Sequence, residues 1–251
     1  MVAHRGDSAR HPENTLPAFE SAVEAGADLI ELDVRLTADG HAVISHDADV
    51  ARTTGGDGTI SGLTLAELRR LNAGTEAEPA PVPTLDEVLA AVAGRVGVDI
   101  EIKNTPGDPD FDSPTEAVAE KVVQILDHMG IREEILVSSF NWLSIERIRA
   151  MAPDVQTGFL TTAAVDPRAA LVYVRRHQHG WVLPHVPALL AAGEAFVGEA
   201  HAEGVAVGTW TVDDPTTLEQ LFSWGVDAVA TNAPATAVEV RRRWLGSRHD
   251  R

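Results

Sequence analysis

Eight apolar, strand-like runs separated by helical segments within 251 residues predict an α/β protein. The arrangement expected is a TIM-type (β/α)8 barrel with a small insertion after the second-strand hairpin. The runs cover residues 2–4, 29–35, 98–102, 135–138, 155–160, 181–183, 205–210 and 228–230, with 42–45 as the return arm of the hairpin. A glycine that ends a helix and precedes a strand recurs at Gly26, Gly204 and Gly225. The length suits one catalytic barrel domain over 1–251, with function at the C-terminal strand ends.

The elements follow in order. A helix is expected over 15–25, with Leu16, Phe19 and Val23 on its inner face and Gly26 as its stop. The hairpin turns at Asp39-Gly40; read as a two-residue turn, it places residues whose numbers sum to 79 opposite each other. Asp33 would then face His46. Residues 48–83 break the alternation. They contain Gly55-Gly56-Asp57-Gly58, an amphipathic run over 63–71, and Pro79, Pro81 and Pro83. This stretch reads as a small insertion over the mouth, and its glycines as a flexible loop. A later helix is expected to open with a capping box at Ser113-Pro114-Thr115-Glu116.

Composition narrows the function. The chain has 44% hydrophobic and 23% charged residues and no run of about 18 apolar residues that would span a membrane. The opening Met1-Val2-Ala3-His4-Arg5-Gly6 lacks the order of basic, apolar and small residues a signal peptide needs, so none is expected. The absence of cysteine excludes disulfides and thiolate metal ligands, so the cytoplasm is the default compartment. A formal net charge of −18 repels nucleic acid and anionic lipid, so no nucleic-acid partner and no stable membrane binding are expected. The oligomeric state is not legible.

Polar residues that a barrel core would not tolerate cluster at neighbouring strand ends. The first strand ends His4-Arg5-Gly6 and the second carries Glu31 and Asp33. The hairpin returns His46-Asp47, and the third strand reads Asp99-Ile100-Glu101-Ile102-Lys103. Period-two alternation puts Glu31 with Asp33, and Glu101 with Lys103, on one face. A lone strand-end histidine is more often structural, and a Glu/Lys pair two apart is more often a solvated ion pair. Three carboxylates converging with two histidines point instead to a cation with proton-transfer groups beside it.

Nine phrases then occur in order: His4-Arg5-Gly6, Pro12-Glu13-Asn14-Thr15, Glu31-Leu32-Asp33-Val34, His46-Asp47, Arg52-Thr53-Thr54, Pro83-Thr84-Leu85-Asp86-Glu87-Val88, Glu101-Ile102-Lys103, Ser138-Ser139-Phe140 and Trp210-Thr211-Val212. Through them the chain resembles the glycerophosphodiester phosphodiesterases over nearly its full length. The resemblance implies hydrolysis of glycerophosphodiesters to glycerol 3-phosphate and an alcohol, with one divalent cation. It implies Glu31, Asp33 and Glu101 as metal ligands and His4 and His46 as the acid/base pair. It also implies Arg5 and Lys103 as phosphate contacts and Trp210 as pocket wall. Ala51 and Asn232 depart from residues frequent in the family, and neither is expected to touch the chemistry. All-oxygen ligands suit Mg²⁺ or Ca²⁺.

Other residues carry plainer readings. Asp108, Asp110 and Asp112 fail the EF-hand spacing and read as a flexible acidic lip. His177, His179, His201 and His249 read as exposed, and Trp142 and Trp181 as packing. His185 divides evenly between the mouth and a loop surface. The basic tail over 241–251 reads as a solvated helix end. Two rivals remain: a phospholipase-D-like lyase that stops at a cyclic phosphate, and a catalytically inactive barrel that serves as a binding module.

Overall fold

The computed structural model describes residues 1–249, with side chains described as far as Gly246. The strands are β1 (Val2–His4), β2 (Leu29–Leu36), β3 (Ala42–Ile44), β4 (Gly97–Ile102), β5 (Ile135–Ser139), β6 (Gln156–Thr161), β7 (Trp181–Pro184), β8 (Ala206–Thr209) and β9 (Ala228–Thr231). All except β3 pair in parallel, and β1 pairs with both β2 and β9, so eight strands close a TIM-type barrel. Barrel strand boundaries match the expected runs within two residues.

The helices before β5 are α1 (Leu16–Glu24), α2 (Ala51–Thr54), α3 (Leu65–Leu68), α4 (Leu85–Val92) and α5 (Ala117–Met129). After it come α6 (Trp142–Met151), α7 (Pro167–Arg176), α8 (Val186–Ala192), α9 (Glu194–Ala202), α10 (Pro215–Ser223) and α11 (Pro234–His249). The outer faces of β2 and β4 show why they stack. Ile30, Leu32, Val34, Val98, Ile100 and Ile102 are buried against Phe19, Leu89 and Val122 of the surrounding helices. α1 begins where Thr15 Oγ1 accepts from Ala18 N, and it buries Phe19 as its spacing predicts. Gly6 has a φ of +83°, and a Cβ there would lie 2.6 Å from the Ala18 carbonyl carbon. Only glycine therefore lets α1 approach the end of β1.

The hairpin register differs from the expected one by one residue. Val34 pairs with Ile44 and Leu36 with Ala42, so numbers sum to 78. A two-residue Asp-Gly turn needs positive φ at both residues. Gly40 has it (+77°) and Asp39 does not. The loop is instead Ala38-Asp39-Gly40, closed by Thr37 N donating to His41 O and by Thr37 Oγ1 accepting from His41 N. Asp33 consequently faces Ser45, and His46 arrives one residue beyond the ladder. β1 and β3 share one edge of β2 end to end, at Leu29–Glu31 and Val34–Leu36 respectively.

Within 48–83, Val50, Ile60, Leu68, Ala73 and Val82 form a small core with Val43 of β3. The expected capping box at Ser113–Glu116 is not formed. Glu116 has a φ of +56° and turns its carboxylate inward, where it accepts from Asn104, Asn141 and Ser144. Asp112 Oδ2 accepts from Ala117 N instead. Capping boxes occur at Thr64/Glu67 and Thr84/Glu87. In the basic tail, Arg241 pairs with Asp28, and Arg242 and Arg243 pair with Glu239. The side chains of Arg248, His249 and Arg251 lie outside the described residues.

Candidate active site

The inner faces of β2 and β4 present Glu31, Asp33, Asp99 and Glu101, with Lys103 just beyond β4. Together with His4, Ser138 and Trp210, the inward groups Glu31, Asp99 and Glu101 line a small cavity of about 50 Å³. Glu31, Asp33 and Glu101 are buried, and one ligand oxygen from each lies within 4.8 Å of the others. Lys103 Nζ is 2.5 Å from Glu101 Oε1 and 3.0 Å from Asp33 Oδ1, so this pair is buried, not solvated. Arg5 Nε is 3.2 Å from Asp33 Oδ2, and the Arg5 backbone N donates to Glu31 Oε2 at 2.9 Å. Asn14 Nδ2 donates to the same Asp33 oxygen at 2.8 Å. Arg5 and Asn14 both hold positive φ, 57° and 59°, and Asn14 N donates to Arg5 O. Such backbone strain concentrates where a site over-determines the chain.

The electrostatics are divided. Burial pushes the Glu31 carboxyl well up, and repulsion from Asp33, Glu101 and Asp99 adds to it. Burial also raises Glu101, against the opposing pull of Lys103. Burial works against the Asp33 charge too, but Lys103, Arg5 and His46 outweigh it and hold that carboxyl well below its usual range. Asp99, hydrogen-bonded by Ser138 Oγ at 2.8 Å, is pushed up to about 7, mainly by burial. Glu31 Oε1 is buried with no hydrogen-bond partner. An all-oxygen trio with an unpartnered, destabilised carboxylate fits a hard divalent cation.

Both histidines are fixed through the same ring atom. His46 Nδ1 lies 2.6 Å from Asp47 Oδ1, and a carboxylate only accepts, so Nδ1 carries the proton. His4 Nδ1 lies 2.7 Å from Asn232 Oδ1. Asn232 Nδ2 donates to Asp213 at 2.7 Å, which turns the amide oxygen toward His4. Each imidazole therefore keeps Nε2 for the site. Both sit in the field of Asp33, Arg5 and Lys103. Burial lowers the pKa of both; Arg5 adds to this at His4, and Lys103 and Arg5 at His46, partly offset there by Asp33.

The opposite wall is aromatic. The Trp210 ring meets Phe140 edge-on at 5.3 Å, and its Nε1 donates to Leu183 O. His185 packs on Trp210 at 4.6 Å, which settles its place at the mouth. Trp142 is largely exposed, and Trp181 closes the cavity from below.

Several sequence readings need correction. Asn232, expected to stand apart from the site, meets the candidate acid/base residue His4. Asp108 and Asp110 are no loose lip: both bond to the buried Arg35, which also donates twice to His46 O. His179 is buried because Tyr173 stacks on it and Thr157 Oγ1 meets its Nδ1. Sequence reasoning also passed over Glu13, Asn14, Arg35 and Asp47. Glu13, Asn14 and Asp47 sit inside the motif phrases, Asp47 directly beside His46.

Residues 4–236 match the profile of the Glycerophosphoryl diester phosphodiesterase family. A glycerophosphodiester phosphodiesterase of Caldanaerobacter subterraneus is 35% identical, over 97% of this chain and 98% of its own. One from Bacillus altitudinis is 32% identical over 96% and 97%. The crystal structure of an Oleispira antarctica phosphodiesterase in complex with its product sn-glycerol-3-phosphate superposes with a TM-score of 0.86, at 29% identity over 96% of each chain. With a closed barrel, a buried acidic trio and two pinned histidines, the chain belongs to the glycerophosphoryl diester phosphodiesterase family of phosphoric diester hydrolases.

Proposed function

We propose that this chain hydrolyses water-soluble glycerophosphodiesters in the cytoplasm to glycerol 3-phosphate and an alcohol, with His4 and His46 as the acid/base pair. The observation that carries this is the pairing of two Nδ1-anchored imidazoles with the buried carboxylate trio. We read 1–251 as one catalytic barrel, with 48–83 as an insertion over the mouth; the bonds from Arg52 to Glu13 and Asp47 support that placing.

Glu31, Asp33 and Glu101 would hold the cation. Bound there, Mg²⁺ or Ca²⁺ supplies positive charge to the phosphoryl oxygens and acidity to a nearby hydroxyl. Three carboxylates against Arg5 and Lys103 leave a formal −1, which repels a phosphodiester; a divalent cation turns this to +1. Arg5 and Lys103 orient the phosphate, and Trp210 walls the pocket. The Nε2 of one histidine takes the proton of the attacking oxygen, and the other gives one to the leaving alcohol.

The test is release of glycerol 3-phosphate from glycerophosphocholine, glycerophosphoethanolamine and glycerophosphoglycerol with Mg²⁺ or Ca²⁺. His4→Ala and His46→Ala should each lower kcat by at least about 10²-fold, while His11→Ala stays near wild type. A His46 variant that turns over at the wild-type rate, or release of a cyclic phosphate as the end product, would overturn the reading.

A further inference from the structure

The side chain of Arg52 lies outside the barrel and half-exposed. Its three nitrogens all have carboxylate partners. Nε donates to Asp47 Oδ2 at 2.5 Å, while Nη1 and Nη2 fork onto the two oxygens of Glu13 at 2.9 and 2.7 Å. Each of those carboxylates also serves a site residue. Asp47 Oδ1 receives His46 Nδ1 at 2.6 Å. Glu13 Oε1 receives Arg5 Nη1 at 3.0 Å. At Asp47 the Arg52 hydrogen bond outweighs burial, the next largest influence, and with the His46 hydrogen bond holds the carboxyl down at about 2.

We propose that Arg52 is a positioning residue that sets His46 and Arg5 together, through Asp47 and Glu13. The inference rests on the roles proposed above for those two residues. The segment 48–83 gives the clamp its footing. Val50, just before α2, is buried in the small core with Ile60 and Leu68, and Gly55 closes the helix by donating its N–H to Ala51 O. Without the guanidinium, Asp47 and Glu13 each regain free torsions, and the imidazole and Arg5 drift with them. Misplacing a reacting group by about 1 Å costs roughly 10²-fold in rate. Lysine is no substitute, because a point ammonium cannot span two carboxylates as a planar fork does. An exposed ion pair contributes little to stability. The clamp should therefore be read in kinetics and in the His46 ring, not in the unfolding curve.

The experiment combines kinetics on glycerophosphocholine with Mg²⁺ and nitrogen-15 histidine spectra of the metal-free protein. Arg52→Ala should lower kcat and raise KM, each by about tenfold, with an unchanged urea midpoint. Arg52→Lys should recover no more than about twofold of either. Asp47→Asn should act on kcat and Glu13→Gln on KM. Adding Arg52→Ala to Asp47→Asn should lower kcat no further. In the spectra, Arg52→Ala should move His46 from the Nδ1–H form to a mixture of tautomers while His4 stays fixed. Unchanged rate constants, an unchanged His46 signal, or losses that multiply in the double variant would each overturn the proposal. If the wild-type chain hydrolyses none of the diesters, the functional reading fails, and the spectra still decide the role of Arg52.

Discussion

His4 and Asn232, 228 residues apart in sequence, meet at 2.7 Å between Nδ1 and Oδ1. The amide is held in turn by Asp213, which accepts from both its side chain and its backbone N–H. A neutral acceptor orients the imidazole without adding a charge. His46 has a carboxylate in the same position. The two rings thus share a tautomer and differ in the charge behind them.

Replacing that amide should change how His4 titrates. Burial and then Arg5 lower its pKa, so its limb of the kcat/KM profile should lie below about pH 6.5 in the wild type. In Asn232→Asp a carboxylate favours the imidazolium and raises this pKa, so the limb should move to higher pH. Asn232→Ala should leave the ring unpinned and cost about tenfold in kcat. A profile that does not move in Asn232→Asp would show that another group sets the limb.

Activity should depend on a divalent cation bound by Glu31, Asp33 and Glu101. Chelation should abolish turnover, and Mg²⁺ or Ca²⁺ should restore it. The same ion should raise the melting temperature, because it binds only the folded trio. Burial and charge repulsion raise Glu31, so a proton competes with the ion and affinity should fall as pH falls. Glu31→Gln should lose the thermal shift. Full turnover in excess chelator, with metal analysis showing none bound, would remove the cation from the reading.

The barrel and the acidic trio were legible because both follow from short-range pattern. Strand and helix runs alternate, and period two puts Glu31, Asp33 and Glu101 on the inner face. The misreadings share a different cause. The hairpin register depends on Thr37 Oγ1 and on Asp39 not taking the positive φ of a two-residue turn, which the dipeptide Asp39-Gly40 does not reveal. Asn232 and Asp110 find His4 and Arg35 across 228 and 75 residues, where spacing says nothing. His179 sits in the polar stretch His177-Gln178-His179-Gly180, yet Tyr173 and Thr157 bury it. Glu116 would cap α5 by local pattern, but three buried donors claim its carboxylate.

Asp99 should make the metal-free protein less stable as pH rises. Burial is the main reason its carboxyl is pushed up to about 7, against about 3.9 in an unfolded chain. Between those values the folded state holds the extra proton, so stability declines with rising pH across that window. Asp99→Asn keeps an acceptor for Ser138 and removes the titration. Its stability relative to wild type should therefore be greater at pH 8 than at pH 5, measured by urea unfolding. An equal difference at both values would mean that Asp99 is ionised throughout.

Arg35 should be the costliest arginine to remove. It is buried, donates to both Asp110 oxygens and to Asp108, and holds the His46 carbonyl through Nε and Nη2. Breaking a buried ion pair from one side costs about 3–5 kcal/mol. Arg35→Ala should lose about that much in urea unfolding, and Asp110→Asn less, since Asp108 remains. A loss under about 1 kcal/mol for Arg35→Ala would show that water replaces the guanidinium freely.

The substrate should be a deacylated, water-soluble diester and not an intact phospholipid. An enzyme that attacks a bilayer needs an apolar or basic face to sit on it. Of the large apolar residues in 53–61 and 106–114, Ile60 is buried in the small core and Phe111 is exposed. Trp142 and Leu143 add two exposed side chains beside β5, and Asp110 precedes Phe111 in the chain. The net charge of −18 opposes anionic head groups at long range. No helix among the described residues is long and apolar enough to cross a membrane. Glycerophosphocholine in solution meets none of these barriers. At matched phosphate concentration it should be cleaved faster than phosphatidylcholine vesicles, and the protein should not sediment with anionic liposomes. Faster release from vesicles would reverse the assignment and make Phe111, Trp142 and Leu143 the first residues to replace.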